Sequence, residues 1–91
     1  MRPRDIYSAA VKKYGKDPQL IICMEEMAEL TKELSKNIRG AKNVTSISEE
    51  MADVEIMLEQ LRVIFGNRSE VDTIKADKLL RLADRLEVFT K

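Results

Sequence analysis

The sequence predicts an all-α protein folded as a four-helix bundle. Of its 91 residues, 44% are hydrophobic, only 4% are aromatic and none is Trp, a composition typical of helices rich in Leu, Ile, Met and Ala. All three glycines and both prolines fall at the edges of segments with helical periodicity, where C-terminal glycines and N-terminal prolines are favoured. Four such segments with short connections predict a single domain over residues 1–91.

Glycine and proline delimit the first two predicted helices. The first covers residues 4–14 and ends at Gly15. The second opens with Asp17 as its N-cap and Pro18 as its first helical residue, and it continues to residue 39, before the next glycine.

Hydroxyl and acidic side chains predict the starts of the other two helices. Ser46, followed three residues later by Glu49, is typical of a capping box for a third helix that ends near Phe65. Ser69 with Asp72 offers a similar start for the fourth helix.

Apolar residues at alternating spacings of three and four predict one packing seam on each of the last three helices. The three seams are Leu20, Met24, Met27, Thr31, Leu34 and Ile38; Ile47, Met51, Val54, Leu58, Leu61 and Phe65; and Leu79, Leu82, Leu86 and Phe89. The third helix is apolar around much of its circumference and needs neighbours on several sides. A chain this short supplies few, so we expect a homo-oligomer, a dimer or a tetramer, assembled through the central helices.

Charge and residue types exclude several functional classes. Sixteen basic and sixteen acidic residues balance, so no overall positive field favours nucleic acid or an anionic membrane as a partner. The chain has no His, which excludes His-dependent triads and zinc deaminases. Cys23 is the single cysteine and is expected to be a small buried hydrophobe. A reducing, cytoplasmic location is the simplest expectation, with no secretion signal and no membrane-spanning segment.

One pattern occurs twice. EEMAEL at residues 25–30 recurs as EEMADV at residues 49–54, in the same register against the apolar seam of each helix. A purely solvated helix face does not require this coincidence, although a single Glu-x-x-Glu is common on solvated helices.

The doubled pattern places two carboxylates on the same flank of each seam. Glu26 and Glu29 lie about 60° apart on the second helix, and Glu50 and Asp53 take the equivalent flank of the third. If the two helices pack antiparallel, the four side chains can face one cleft. So many carboxylates require a cation or a bound proton. Oxygen ligands without His or thiolate select Mg²⁺, with Mn²⁺ as the alternative, and Mg²⁺ often shares its coordination with substrate phosphates.

The string Glu26-x-x-Glu29, a spacer, and Glu50-x-x-Asp53 resembles the signature of the all-α nucleoside triphosphate pyrophosphohydrolases, the MazG-like superfamily. This resemblance implies Mg²⁺-dependent hydrolysis between the α- and β-phosphates of a nucleoside triphosphate, giving the monophosphate and pyrophosphate, with a role in cleaning the nucleotide pool. It also implies that these four carboxylates hold the metal, while a spare carboxylate takes a proton from water. Either Glu25 or Glu49 fits that catalytic role.

Basic residues supply candidate phosphate contacts. Lys78, Arg81 and Arg85 lie on one face of the fourth helix and are similar to a downstream basic cluster of the same family. Many members have an Asn within that cluster, where this chain has Leu82. Lys42, in the connection between the second and third helices, is a further candidate.

Two other functions fit the same residues. A phosphoribosyl-ATP pyrophosphohydrolase belongs to the same superfamily, but the absence of His and the short chain argue mildly against it. A non-catalytic helical dimer, acting as an interaction or regulatory module, would function without the acidic side chains and would not respond to divalent metal.

Overall fold

A computed structural model of the chain describes residues 1–86, which form four α-helices and no strand. The helices are α1 (Pro3–Tyr14), α2 (Lys16–Ile38), α3 (Val44–Phe65) and α4 (Arg68–Arg85). The all-α class is therefore confirmed. Within residues 1–86, no helix combines the length and apolar character needed to cross a bilayer.

Glycines end α1 and α3, as the sequence predicts. Gly15 has a φ of 91° and Gly66 has a φ of 59°, values that residues with a Cβ rarely adopt. Both glycines therefore let the chain leave the helix at little conformational cost. The next helix begins within one or two residues.

The predicted caps of α2 and α3 are wrong. α2 begins at Lys16, so Asp17 and Pro18 lie inside its first turn, where Pro is tolerated because the first amides of a helix have no intrahelical acceptor. α3 begins at Val44, so Ser46 is not its N-cap. Ser69 likewise lies inside α4, which begins one residue earlier.

Asn43 occupies the N-cap position of α3, but its side chain does not cap the helix. Its Nδ2 instead donates to the backbone carbonyl and to the Oε1 of Glu33, both at 2.9 Å. These two bonds tie the last turns of α2 to the start of α3. The bond to Oε1 also holds the pKa of the Glu33 carboxyl below its usual range.

α2 and α3 form an antiparallel pair that contains the core of the chain. A buried amide pair, Gln19 Nε2 to Gln60 Oε1 at 2.7 Å, joins the start of α2 to the end of α3. Between this pair and the Glu33–Asn43 link lie the buried apolar side chains Cys23, Val54 and Met57. Cys23 is buried as predicted, and burial raises the pKa of its thiol.

The face that α2 presents to α3 is not its predicted apolar seam. Gln19 and Cys23 are buried, whereas Met24 and Met27, one position along from Cys23 and Glu26, stay exposed. One position along a helix is a rotation of about 100°, so the most apolar stripe of α2 lies a quarter turn away from α3. The predicted seam of α3 is only partly buried: its residue Val54 lies in the core, whereas Met51 and Leu58 are exposed, and Met57, which the seam does not include, is buried.

α1 packs against α3 and touches α2, whereas α4 lies largely apart from the other three helices. The radius of gyration is 16.4 Å, against about 12 Å for a compact domain of this length. Two ion pairs, Glu59–Arg68 and Arg62–Asp72, each at 2.7 Å, hold the start of α4 against the end of α3. The bundle packing within one chain is thus formed by three helices.

The predicted seam of α4 is exposed along its described length. Leu79, Leu82 and Leu86 are all open to solvent in the single chain. Phe89, the last residue of this seam, lies outside the described residues.

Candidate metal centre

Three of the four acidic side chains in the doubled pattern meet between α2 and α3. Glu26, Glu50 and Asp53, which we call the acidic triad, each place one carboxylate oxygen so that all three oxygens lie within 4.8 Å of one another. Glu26 and Glu50 are half-buried, and Asp53 is exposed. The group is therefore open to solvent on one side.

Helix geometry explains why these residues converge. Glu26 continues the contact face of α2 that Gln19 and Cys23 begin, at spacings of four and three. Glu50 lies on the contact face of α3, one turn before Val54. Because the two helices run antiparallel, Glu26 and Glu50 meet at the middle of the pair.

Burial and mutual repulsion disfavour ionised carboxylates in the triad. Burial raises the pKa of Glu26, and the neighbouring charges of Asp53, Glu50 and Glu29 raise it further. Asp53 also lies close enough to accept a hydrogen bond from protonated Glu26. Burial and the charge of Asp53 likewise raise the pKa of Glu50.

One oxygen of Glu50 is left without a protein partner. Its Oε2 is buried from solvent and accepts no hydrogen bond from any residue in the described part of the chain. A buried acceptor without a donor carries a desolvation cost, which a bound cation or proton would offset. The triad also makes no ion pair with a basic residue of the described chain.

Glu29, the fourth acidic residue of the pattern, lies beside the triad but is not one of its three converging side chains. Its side chain is exposed, and its charge is near enough to raise the pKa of both Glu26 and Glu50. Glu29 follows Glu26 by three residues, which turns its side chain about 60° around the axis of α2. This rotation directs Glu29 toward the solvent side of the α2–α3 pair. Asp53 makes the same rotation from Glu50.

The other candidate residues are exposed and lie outside the triad. Glu25 and Glu49 are each adjacent in sequence to a triad member, and Lys42 is in the connection between α2 and α3. The basic face of α4 does not pair with the triad; of its residues, Arg81 bonds to Asp77 at 3.4 Å. The face consists of Lys78, Arg81 and Arg85.

The sequence analysis did not predict the contacts between Glu33 and Asn43 beside the triad. Glu33 is one of the acidic groups whose charge raises the pKa of Glu50. Glu33 lies seven residues after Glu26 and therefore on the same face of α2; this spacing was the only feature of the sequence that could have indicated its position. Its bonds to Asn43 fix the connection next to the triad.

A cleft with a volume of about 630 Å³ lies elsewhere, between α1, α3 and α4. Arg62 and Arg68, which line it, are paired with Glu59 and Asp72 in the bridges that position α4. These pairs hold α4 against α3, so this part of the cleft has a structural role, whereas only the triad brings several carboxylates together; we therefore place the candidate chemistry at the triad.

Neutralising Glu26 is expected to stabilise the metal-free protein. A carboxyl group whose pKa is raised by folding takes up a proton on folding, so its repulsion is fully present above the folded pKa and disappears as the pH falls toward the unfolded value of about 4.3. Glu26→Gln should therefore increase the free energy of unfolding near neutral pH, and its advantage over the wild type should shrink on acidification. Urea unfolding in EDTA, at fixed chain concentration and several pH values, measures this difference.

Comparing Glu26→Gln with the wild type cancels the pH-dependent stability that other carboxyl groups contribute equally to both proteins. The lowered pKa values of Glu33 and Asp72 stabilise the fold above their unfolded pKa values, and that stability is lost as the pH falls. An advantage of Glu26→Gln that is absent near neutral pH, or that grows on acidification, would contradict the repulsion inferred for the triad.

The chemistry inferred for this site rests on its own side chains and their geometry. Comparison of the chain with models of protein families, with curated proteins and with solved structures finds no match.

Proposed function

We propose that this protein is a Mg²⁺-dependent nucleoside triphosphate pyrophosphohydrolase of the MazG-like type. The observation that carries the proposal is the convergence of the triad oxygens within 4.8 Å at the solvent-facing margin of the α2–α3 core. The reaction type is supported by the resemblance of the Glu-x-x-Glu and Glu-x-x-Asp pattern to the signature of these pyrophosphohydrolases. Nucleotide-pool cleaning is the role that this activity would serve.

The donor set suits a hard divalent cation. Glu26, Glu50 and Asp53 offer only oxygen, which Mg²⁺ and Mn²⁺ prefer. The buried Oε2 of Glu50 has no donor in the described chain, and burial together with like charges raises the pKa of Glu26 and of Glu50. These features fit a site that gains stability when a cation neutralises it.

The side chains divide the catalytic work among them. Glu26, Glu50 and Asp53 would hold the metal, and Glu29 would complete the acidic margin on the solvent side. Bound Mg²⁺ supplies the positive charge that screens a triphosphate and orients it for in-line attack. Glu25 or Glu49 would accept the proton of the attacking water, because each is exposed and adjacent in sequence to a triad member.

Phosphate contacts would come from exposed cations. Lys42 lies in the connection that joins α2 to α3, beside the Glu33–Asn43 link. Lys78, Arg81 and Arg85 belong to α4, which lies apart from the α2–α3 pair of its own chain. Contact between this basic face and a bound triphosphate therefore requires α4 to come from a neighbouring chain in a homo-oligomer.

The test is release of pyrophosphate from a panel of canonical and modified ribo- and deoxynucleoside triphosphates, with Mg²⁺ and with EDTA. We expect equimolar monophosphate and pyrophosphate in Mg²⁺, none in EDTA, and a preference among nucleotides that identifies the substrate. Phosphoribosyl-ATP belongs in the panel, because turnover of that compound alone would favour the related pyrophosphohydrolase. Absence of release from every compound by folded protein would refute the proposal.

A non-catalytic interaction module is the second candidate, favoured by the large exposed apolar surface of the helices. It predicts that Mg²⁺ leaves the melting temperature unchanged and that the triad can be replaced without loss of function. A rise in melting temperature with Mg²⁺ in the wild type but not in Glu26→Gln would count against it.

A further inference from the structure

The cleft between α1, α3 and α4 has a cationic lining and lies on the side of α3 opposite the acidic triad. Glu59, which lines the cleft, follows Glu50 by nine residues, a rotation of about 180° around α3. The cleft and the triad are therefore separate sites. Three helices supply the basic residues of the lining, which are Arg4, Arg62, Arg68 and Lys75.

The bridges that position α4 use only two of these cations, Arg62 and Arg68. Arg4 on α1 and Lys75 on α4 are exposed and make no ion pair with any residue of the described chain. They outnumber Glu55, the carboxylate of the lining that is likewise without an ion pair among residues 1–86. The cleft therefore keeps an excess of positive charge that a bound anion would neutralise.

The cationic surface continues into a smaller hollow of about 300 Å³. Arg4, Arg62 and Arg68 line both spaces, and Ser8 and Ser69 add hydroxyl groups to the smaller one. Guanidinium and hydroxyl groups donate hydrogen bonds to phosphate oxygens, and the planar fork of Arg matches phosphate geometry especially well. The shared arginines therefore provide the donor type that phosphate recognition requires.

Aromatic and apolar side chains complete the cleft. Tyr7 is half-buried on α1 and lines the cleft together with Ile56 and Leu58 of α3. Sites for small molecules typically combine apolar and aromatic walls with a few polar groups, in volumes of about 300–1,000 Å³. The volume of about 630 Å³ falls within this range. The cleft therefore has room for a ring beside a phosphate group.

We propose that this cleft binds a phosphorylated small molecule that carries an aromatic ring, a class that includes the nucleoside monophosphates. A phosphate monoester has a charge of about −1.5 to −2 at pH 7, which matches the two unpaired cations Arg4 and Lys75. The ring of the ligand packs against Tyr7, since aromatic rings favour offset-stacked or edge-to-face contacts. The ligand links α1 to α4, two helices that make few direct contacts. This binding requires no metal and is independent of the proposed catalytic activity.

Isothermal titration calorimetry of the full chain with AMP, GMP, CMP and UMP in EDTA tests the proposal. EDTA keeps the triad free of metal, so metal-dependent binding there does not contribute. We expect one saturable site per chain for at least one monophosphate, and at least tenfold weaker binding of its nucleoside and of inorganic phosphate. Absence of saturable binding for all four would overturn the proposal. Equal affinity for inorganic phosphate would contradict recognition of the ring.

Substitutions test the location of this site. Arg4→Ala and Lys75→Ala should each weaken binding about tenfold, because each removes a hydrogen bond to a charged group. Lys12→Ala is the matched control, since Lys12 is an exposed lysine of α1 that lines neither space. Glu50→Ala is the control for the triad, and both control variants should bind as the wild type does. Unchanged affinity in both cleft variants, or loss of binding in Glu50→Ala, would refute this location.

Chemical-shift mapping keeps the test valid if a cleft variant fails to fold. The isotope-labelled wild type is titrated in EDTA with the monophosphate that binds most tightly. We expect the largest changes in amide shifts at residues 4–8 and 68–75. Largest changes at residues 49–53 would assign the ligand to the triad and overturn the proposal.

Discussion

Replacement of Glu50 by Ala is expected to reduce Mg²⁺-dependent pyrophosphate release by about 100-fold or more, because loss of even an outer-shell group costs 10- to 100-fold at metal sites. Glu50 belongs to the triad, and its buried Oε2 accepts no hydrogen bond from any of the described residues. The variant should fold at least as well as the wild type without metal, since it relieves like-charge repulsion. Pyrophosphate release and thermal unfolding, each with Mg²⁺ and with EDTA, measure both effects.

Glu55→Ala is the matched control for this experiment. Glu55 is an exposed carboxylate on the same helix, but it faces the cleft between α1, α3 and α4 and not the triad. It should retain wild-type activity and the same stabilisation by Mg²⁺. Equal loss in both variants would point to a general charge effect on α3, and retained activity in Glu50→Ala would remove the triad from the mechanism.

Replacement of Met57 by Ala is expected to lower the free energy of unfolding by about 2–5 kcal/mol, the usual cost of truncating a buried Met side chain. Met57 is 6% exposed, packs between α2 and α3, and its Sδ accepts a hydrogen bond of 3.6 Å from Gln60 Nε2. The core has few other apolar residues to compensate for the cavity. Urea unfolding at fixed chain concentration measures the loss.

Met57→Leu separates packing from the sulfur contact. Leu conserves most of the volume but removes the acceptor for Gln60, and such swaps usually cost less than about 1.5 kcal/mol. If Leu costs as much as Ala, the polar contact rather than the filled volume stabilises this part of the core.

Most of the secondary structure could be read from the sequence, but the helix starts could not. Gly15 and Gly66 end helices where predicted, because their positive φ is a local property of the backbone. Ser46 failed as a cap because the helix was already formed two residues earlier. The side chain of Asn43 bonds to Glu33 and does not cap α3. This contact joins residues ten positions apart, so no local pattern encodes it.

The acidic site could be predicted from the sequence because the same pattern recurs on two helices in the same register against their apolar seams. Matching registers predicted that Glu26 and Glu50 would face one cleft, and an antiparallel pair places them together. Glu29 and Asp53 have equivalent positions in the pattern, yet only Asp53 joins the triad. The sequence pattern does not distinguish the two, because the relative placement of the helices depends on contacts between residues far apart in sequence, such as the buried Gln19–Gln60 pair and the Glu33–Asn43 link.

The sequence by itself determined the helical class, the helix ends marked by glycine, and the doubled acidic pattern. These features depend on interactions within a few residues or on periodicity along one helix. Only the tertiary structure decided which face of each helix packs within the chain and that α4 stands apart. An apolar stripe such as Met24 and Met27 specifies burial but not the partner, because the hydrophobic effect is non-directional and rewards a neighbouring helix and a second chain alike.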